Sequence, residues 1–274
     1  MFKSLQTVMT QSQQENEAWW HDHLVKGHRV EHLARRFFPL LPSSPRCKIC
    51  FVPFAGFGLP LQFLGWSPSR KNPRLCTWCC ERLPPGGAEV DIAVLFADIR
   101  NYTSLAEQLP SPDVAALVNR FYRVATQVLI DHDAIIDKFL GDSVMALFIP
   151  GIAGPGYRDM AVRAGEALLR SVGYGGQNGP WLPLGVGIHA GPAFVGNVGA
   201  EGVVDFTAIG DTVNVASRIQ SQAAAGTILI SETIYAAVAG RYGELEARSL
   251  TLKGKQEPVT VRELRVSAAS PIAT

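Results

Sequence analysis

A mostly apolar run from Val90 to Ala97 is the feature that most constrains the fold of this 274-residue chain. The run predicts a largely buried strand, and from Ala88 onward the apolar residues follow regular helix and strand periods. The preceding residues 39–87 are rich in Pro, Gly and Cys and show no sustained period. The pattern therefore indicates two differently built regions that meet near residue 88.

The regular region alternates strands and helices in an order that indicates one fold. Ser111 is expected to cap a long helix with Pro112 at its first position, and Leu140-Gly141-Asp142 indicates the turn of a hairpin. The order strand, helix, hairpin, helix, strand is typical of the ferredoxin-like βαββαβ pattern, which places the chain in the α+β class. The predicted strands are 90–97, 134–139, 144–148, 184–189, 193–198, 227–230 and 258–265; the predicted helices are 111–130, 157–172, 211–222 and 232–239, with Gly191-Pro192 joining a strand pair and Asp211 capping its helix.

Four segments are expected along the chain. An N-terminal helical segment covers residues 1–40, with its helix over 11–38, and a cysteine-rich segment covers 41–87. Gly86-Gly87, at the end of that segment, predict a flexible linker. The main domain spans 88–266, and residues 267–274 are expected to form a flexible tail.

Charge and hydropathy exclude several classes of protein. The net charge of +1 gives no electrostatic footprint for nucleic acid, so no nucleic-acid partner is expected. The most apolar stretch, 51–66, is broken by Pro and Gly and falls short of the roughly 20 residues that span a bilayer. The N-terminus lacks the apolar stretch of a signal peptide, so we expect a soluble, cytoplasmic protein without a transmembrane segment. A modest basic group is expected to be a solvated face; it consists of Arg46, Lys48, Arg70, Lys71 and Arg74.

Two C-x-x-C pairs, Cys47/Cys50 and Cys76/Cys79, are separated by 25 residues. Four thiolates would complete a structural Zn²⁺ site. Iron in a rubredoxin-like arrangement, or an iron–sulfur cluster, is the alternative because ligand type alone does not separate these metals. Disulfides are disfavoured in a reducing cytoplasm. Cys80 is left over and is expected to be structural.

Two carboxylates occupy positions that suit divalent cations. Asp98 ends the first strand and Asp142 lies in the hairpin turn. Mg²⁺ takes a few oxygen ligands from protein and completes its shell with water and substrate phosphates. Taken alone, Gly-Asp in a hairpin is also ordinary turn chemistry.

Several segments together resemble the class III adenylyl and guanylyl cyclases. The resemblance covers roughly residues 88–266, which are accordingly identified as a class III nucleotidyl cyclase catalytic domain. It is carried in the family's order by FADIRNYT, DKFLGDSVMALF, LGVGIHAGPAFVGNVG, IGDTVNVASRIQ and LKGKQEPVTV.

The resemblance implies a role for each matching position. Asp98 and Asp142 match the aspartates that bind two Mg²⁺ or Mn²⁺ ions, with help from the backbone carbonyl of Ile99. Lys138 matches the lysine that recognises the purine, and a lysine there favours adenine because an ammonium only donates and adenine N1 only accepts. Further matches are Asn214, which orients the ribose; Arg218, which stabilises charge on the α-phosphate; and Lys253 or Lys255, one of which contacts the terminal phosphates.

One position departs from the commonest family pattern. Thr207 stands where many adenylyl cyclases have an aspartate. Its hydroxyl can accept from the adenine amino group but can also donate, which would loosen discrimination against GTP. A threonine here is similar to the subgroup that includes bicarbonate-responsive soluble cyclases. Bicarbonate activation is therefore a hypothesis, which a flat response of activity to bicarbonate at constant pH would remove.

The implied function is an adenylate cyclase that converts ATP to cyclic AMP and pyrophosphate in intracellular signal transduction. In the family one domain supplies the aspartates and its partner supplies the remaining groups. Because this single chain carries all of these residue types, a symmetric homodimer is expected. Two alternatives are a guanylate cyclase, disfavoured by Lys138, and a non-catalytic metal or redox sensor with a cyclase-like domain, disfavoured by the intact Asp98, Asp142, Asn214 and Arg218.

Overall fold

The computed structural model describes residues 11–26, 37–40, 45–80, 83–200, 203–252, 255 and 257–266. The described residues form one eight-stranded sheet with the order β2-β3-β1-β4-β6-β8-β7, while β5 pairs with β4 off this path. The strands are β1 Gly86–Ile99, β2 Ile135–Leu140, β3 Ser143–Phe148, β4 Leu184–Ala200, β5 Val203–Ile209, β6 Thr227–Ser231, β7 Ala247–Leu250 and β8 Val259–Arg265.

Helices of very different length surround this sheet. The longer helices pack against the sheet, and the short helices lie mainly in the cysteine-rich region and in the loops between other elements. They are α1 Gln11–Lys26, α2 Leu59–Phe63, α3 Thr77–Cys80, α4 Tyr102–Gln108, α5 Ser111–Asp131, α6 Pro150–Ala153, α7 Tyr157–Ser171, α8 Asp211–Ser221 and α9 Glu232–Tyr242, with 3₁₀ turns at Phe38–Leu40 and Gly56–Gly58.

The centre of the sheet has the predicted ferredoxin-like arrangement. Strands β4, β1, β3 and β2 lie side by side and are antiparallel throughout. The sheet has a hydrophobic core on each face. Because side chains alternate along a strand, β1 contributes residues to both of these cores. Ala93 and Leu95 pack with Phe121 of α5 and Leu168 of α7 on one face. The α+β fold class is therefore confirmed.

The opposite face of the sheet is covered by the N-terminal part of the chain. Ile92 and Val94 of β1 share a core with Trp20 of α1 and with the four cysteines of the C-x-x-C pairs. We call residues 45–80 the cysteine module. The module and α1 therefore form a layer on the sheet rather than an appendage to it.

The region predicted as two strands around Gly191-Pro192 is one continuous strand. β4 runs through both residues and pairs with β1 from Leu184 to Asn197, with Pro192 opposite Asp91. On its outer edge β4 pairs with β6 at 186–188 and with β5 from 194 onward. Pro192 lies between these two stretches, where the outer edge of β4 forms no hydrogen bonds with another of the described strands. A proline, which lacks a backbone N–H, is therefore tolerated there.

The predicted linker at Gly86-Gly87 is also wrong, since both glycines belong to β1 and pair with Asn197 and Gly196. A Cβ on Gly87 would lie 2.4 Å from the Val195 carbonyl oxygen and 2.9 Å from the Gly196 Cα. The close approach of the two backbones therefore requires a residue without a side chain.

Smaller differences concern the ends of elements. Ser111 and Asp211 are the first helical residues of α5 and α8, and the caps are Pro110 and Gly210. Of the helix expected over 11–38, the described part contains α1 at Gln11–Lys26; residues 27–36, like the tail expected at 267–274, lie outside the described part. Strands β5 and β7 and helix α4 had no counterpart in the sequence prediction. None of the described helices combines the length and apolarity that a bilayer span requires.

We predict that Trp20→Ala lowers the free energy of unfolding by about 3–5 kcal/mol, the usual cost of truncating a buried large aromatic residue. Trp20 is fully buried and stacks on Phe206 of β5 at a ring-centroid distance of 6.3 Å. Urea unfolding followed by circular dichroism measures the change. Phe63→Ala is the control, because Phe63 is 94% exposed; an equal loss in both variants would contradict this packing.

Candidate functional site

Asp98 and Asp142 meet at one end of the sheet. Asp98 is the penultimate residue of β1 and lies opposite Ser143, the first residue of β3. The turn between β2 and β3 contains Gly141 with a φ of 67°, and the backbone N–H of Ile99 donates to the Asp142 carbonyl at 3.1 Å. This bond fixes the turn against the end of β1. The edge therefore offers two carboxylates beside the backbone of Ile99, hard oxygen donors that suit Mg²⁺ or Mn²⁺.

Arg100 is a neighbour of these carboxylates that the sequence motif did not reveal. Its guanidinium forms an ion pair with Asp98 and lies 3.4 Å from the Ser221 carbonyl at the end of α8. Burial raises the pKa of Asp98, while the positive charge of Arg100 opposes that rise. A divalent cation at this edge would therefore compete with Arg100 for the Asp98 carboxylate.

Lys138 and Thr207 lie together although their strands are not neighbours in the sheet. The connection is the buried Asp137 of β2, whose Oδ2 accepts a 2.9 Å hydrogen bond from the Thr207 hydroxyl. The Lys138 ammonium lies 3.5 Å from the same Oδ2 and 3.4 Å from Oδ2 of Asp205, two residues before Thr207. The structure thus brings the two residues predicted to bind the base to one polar cluster.

Lys71 of the cysteine module completes this cluster. Its ammonium lies 2.8 Å from Asp205 Oδ1 and 3.7 Å from Asp137 Oδ1, and it donates to the Asp137 backbone carbonyl. Burial raises the pKa of Asp137, against the opposing effects of Thr207 and the two ammonium groups. Asp137, Asp205 and Lys71 had no assigned role in the sequence prediction, because only the fold places them together.

Asn214 and Arg218 lie on the outward face of α8. The inner face of this helix is buried and includes Val215 and Ile219, whereas Asn214 is exposed and Arg218 is partly exposed. The first residue of α8, Asp211, pairs with Lys255, which places that lysine at the start of the same helix. Lys253 lies outside the described residues.

Within the described part of one chain, the two carboxylates make no direct polar contact with the predicted base-binding and α8 residues. Among the residues that the structure describes, neither Asp98 nor Asp142 makes a hydrogen bond or ion pair with Lys138, Thr207, Asn214 or Arg218; Asp98 pairs with Arg100 and Lys138 with Asp137 and Asp205. Arg100, which contacts both Asp98 and the Ser221 carbonyl, links the carboxylate edge to the end of α8.

The four cysteines of the C-x-x-C pairs converge in the cysteine module. All four are buried, and their Sγ atoms lie within 4.8 Å of one another. Cys50 and Cys76 Sγ are 3.6 Å apart, near the separation of about 3.8 Å that follows from tetrahedral geometry with metal–sulfur bonds of about 2.3 Å. Hydrogen bonds among the thiols lower the pKa of Cys47 and raise the pKa of Cys76 and Cys79, so the four thiols act as one group. The donor set therefore fits one tetrahedral thiolate-bound metal ion.

The module is attached by a row of polar contacts to β2 and to the residues that precede it. Ile136 donates its backbone N–H to the Lys71 carbonyl at 3.2 Å, and the Asn72 side chain donates to the Ala134 carbonyl at 2.8 Å. Lys48 and Arg74 form ion pairs with the carboxylates of Asp133 and Asp131. Three of the five members of the basic group predicted to be a solvated face, Lys48, Lys71 and Arg74, are therefore paired with the sheet domain. Packing of the module brings them against acidic residues at the end of α5, in the turn before β2, on β2 and on β5.

Comparison with known proteins agrees with the motifs. Residues 88–262 match the family model for the adenylate and guanylate cyclase catalytic domain. The terminal-differentiation-specific adenylate cyclase of Dictyostelium discoideum is 34% identical over 181 residues, which are 63% of this chain and 8% of that protein. The adenylate cyclase of Anabaena cylindrica is 31% identical over 188 residues, or 64% of this chain and 36% of that protein. The chain thus spans 8% of the length of the Dictyostelium relative and 36% of the length of the Anabaena relative.

Solved structures of two cyclases of different specificity are similar to this chain. The guanylyl cyclase Cya2 superposes with a TM-score of 0.59 at 30% identity, covering 69% of this chain and 98% of its own. The adenylyl cyclase CyaB of P. aeruginosa gives a TM-score of 0.56 at 31% identity, covering 65% of this chain and 94% of its own. Likeness of fold therefore does not decide between ATP and GTP.

We predict that the purified protein contains about one tightly bound metal ion per chain and that Cys47→Ser removes it, because loss of one thiolate opens the tetrahedral site. Elemental analysis measures the metal, and a lower melting temperature is expected because metal binding contributes to folding. Cys80→Ser, outside both C-x-x-C pairs, is the matched control. Equal metal content in wild type and Cys47→Ser would contradict the assignment.

Proposed function

Because the chain belongs to the adenylate and guanylate cyclase catalytic domain family, we propose that it is an adenylate cyclase that converts ATP to 3′,5′-cyclic AMP and pyrophosphate. The observation that carries the choice of ATP is the position of Lys138 beside Thr207 in one cluster. An ammonium only donates hydrogen bonds, which suits N1 of adenine and not the protonated N1 of guanine.

Asp98, Asp142 and the Ile99 carbonyl are the groups that would hold two Mg²⁺ or Mn²⁺ ions. When bound, such ions polarise the attacking hydroxyl and neutralise charge on the phosphates. In the reaction the ribose 3′-oxygen bonds to the α-phosphorus, the bond from that phosphorus to the β-phosphate bridging oxygen breaks, and pyrophosphate leaves while the hydroxyl proton passes to solvent. The protein contributes positioning and charge stabilisation.

The groups on α8 serve the substrate directly. Asn214 orients the ribose, and Arg218, one turn later on the same face, stabilises the negative charge that develops on the α-phosphate. Lys255 lies at the first turn of this helix through its pairing with Asp211, which suits contact with the terminal phosphates. Lys253 remains the other candidate for that role.

The active site is proposed to form between two copies of the chain. Asn214 is exposed on one copy, so it is available to a nucleotide held by the carboxylates of a partner. Large apolar side chains are exposed on the strands that carry or adjoin the base-binding residues; they are Phe139 at 37%, Leu140 at 47%, Phe194 at 37% and Ile209 at 50%. A symmetric dimer would bury such surface and complete two equivalent sites.

The cysteine module is proposed to bind a structural Zn²⁺ ion. Four thiolates with no remaining open position are typical of structural zinc sites. The burial of all four cysteines in the core beneath the sheet supports a structural role. Iron is the alternative, and the optical absorption of the purified protein separates it from colourless zinc.

We predict that the purified protein forms cyclic AMP from ATP with Mg²⁺ or Mn²⁺, and that Asp98→Ala lowers the rate by at least about 10²-fold through loss of a metal ligand. Chromatography of the products from ATP and from GTP is the measurement. Asp91→Asn is the matched control, since Asp91 also lies on β1 but pairs with Arg158. Absence of product from a folded dimer would favour the non-catalytic sensor, and cyclic GMP as the main product would favour a guanylate cyclase.

A further inference from the structure

Asp137 is a buried carboxylate to which the proposed reaction assigns no role. Its side chain is fully excluded from solvent, and a buried charge is costly unless it is paired and hydrogen-bonded. Oδ2 accepts from the Thr207 hydroxyl at 2.9 Å, and the ammonium groups of Lys138 and Lys71 lie 3.5 Å and 3.7 Å from its two oxygens. Burial raises the pKa of this carboxyl group, and the Thr207 hydroxyl and the two ammonium groups oppose that rise; this geometry of one donor and two positive charges favours the ionised form.

The hydrogen bond between Thr207 and Asp137 has one direction when Asp137 is ionised. An ionised carboxylate can only accept hydrogen bonds, whereas a hydroxyl can donate one hydrogen bond and accept two. Thr207 therefore donates its only hydroxyl proton to Asp137. Toward any third group its oxygen can then only accept a hydrogen bond. The freedom to donate, which would make a threonine an ambiguous reader of a base, is removed.

This polarity matters for the choice between purine bases. The substituent at position 6 of adenine is an amino group that donates, and that of guanine is a carbonyl oxygen that accepts. A hydroxyl that only accepts pairs with the first and repels the second. Sites that match the polarity of a substrate group discriminate strongly, because a mismatched partner leaves buried polar groups unpaired.

We propose that Asp137 determines nucleotide specificity by fixing the Thr207 hydroxyl as an acceptor, so that the site selects a 6-aminopurine nucleotide over a 6-oxopurine one. The inference rests on the proposed cyclase function and deepens it. Asp137 is a positioning residue: it acts on the base through Thr207 and does not contact the nucleotide itself.

A neighbouring carboxylate separates this role from a general charge effect. Asp205 contacts the same two ammonium groups, at 3.4 Å from Lys138 and 2.8 Å from Lys71, and the hydrogen bond to the Thr207 hydroxyl goes to Asp137. Asp205→Ala therefore removes a negative charge from the same lysines and leaves the Thr207 hydrogen bond in place.

The experiment measures kcat/KM for ATP and for GTP in the full chain and its variants. Asp137→Ala is expected to lower the ATP-to-GTP ratio at least about tenfold, and Asp205→Ala to change it less than about twofold. Thr207→Val is expected to lower the ratio as well, and adding Asp137→Ala to it is expected to produce no further change, because the effect of Asp137 passes through the hydroxyl.

Three outcomes would overturn the inference. One is an ATP-to-GTP ratio of kcat/KM that Asp137→Ala leaves unchanged. Another is that Asp137→Ala lowers this ratio by the same factor in Thr207→Val as in wild type. The third comes from wild type alone: purine riboside triphosphate keeps N1 but lacks the 6-amino group, and its use as efficiently as ATP would show that no acceptor faces that position. An efficiency at least about tenfold lower supports the inference even if Asp137→Ala does not fold. Failure of wild type to cyclise any nucleotide would instead overturn the proposed function.

Discussion

The antiparallel pairing of β1 with β4 organises the sheet and the candidate site. It runs without a break from Gly86 opposite Asn197 to Ile99 opposite Leu184. At one end it presents Asp98 beside the turn that holds Asp142, while the other end continues into β5. Because a long two-stranded ribbon twists and coils, β5 returns to β2, and Thr207 reaches Asp137.

The glycines at the β5 end of this ribbon permit that path. A Cβ on Gly196 would lie 2.4 Å from the Gly87 Cα and 2.2 Å from the Gly86 carbonyl oxygen. Side chains there would separate the strands and displace β5 from the polar cluster of Asp137, Lys138 and Lys71. The same ribbon supplies Ile92 and Val94 to the core shared with Trp20 and the cysteines, so the packing of the cysteine module and the position of the cluster have a common origin.

The sequence was most informative where structure is set locally. The strand around Val94, the helix from Ser111 and the hairpin at Gly141 follow from periodicity and turn chemistry, and the structure has all three. Gly191-Pro192 resembles a turn, and only the pairing of β4 with β1 shows that the strand continues through it. Strand β5 was missed because its residues gain a strand environment only by pairing with β4.

Some residues of the candidate site could be predicted from local sequence, and others could be identified only from the fold. The motif segments indicated Asp98, Asp142, Lys138, Thr207, Asn214 and Arg218 through a family resemblance, and spacing alone indicated the four cysteines that converge. The roles of Asp137 and Lys71 depend on contacts across 70 and 66 residues of chain, and no local pattern reports such contacts. Arg100 lies inside a motif, but its ion pair with Asp98 is a property of the folded edge.

We propose that two copies of the chain combine to make each active site, and this proposal can be tested by mixing two inactive variants. Asp98→Ala and Arg218→Ala are each expected to be nearly inactive alone. Their equal mixture should regain about a quarter of the wild-type activity, because half of the exchanged dimers hold one intact site of two. Asp98→Ala mixed with Asp142→Ala should regain none, since both changes affect the same half of the site. No recovery in the first mixture, with exchange demonstrated by co-purification of differently tagged chains, would contradict the account.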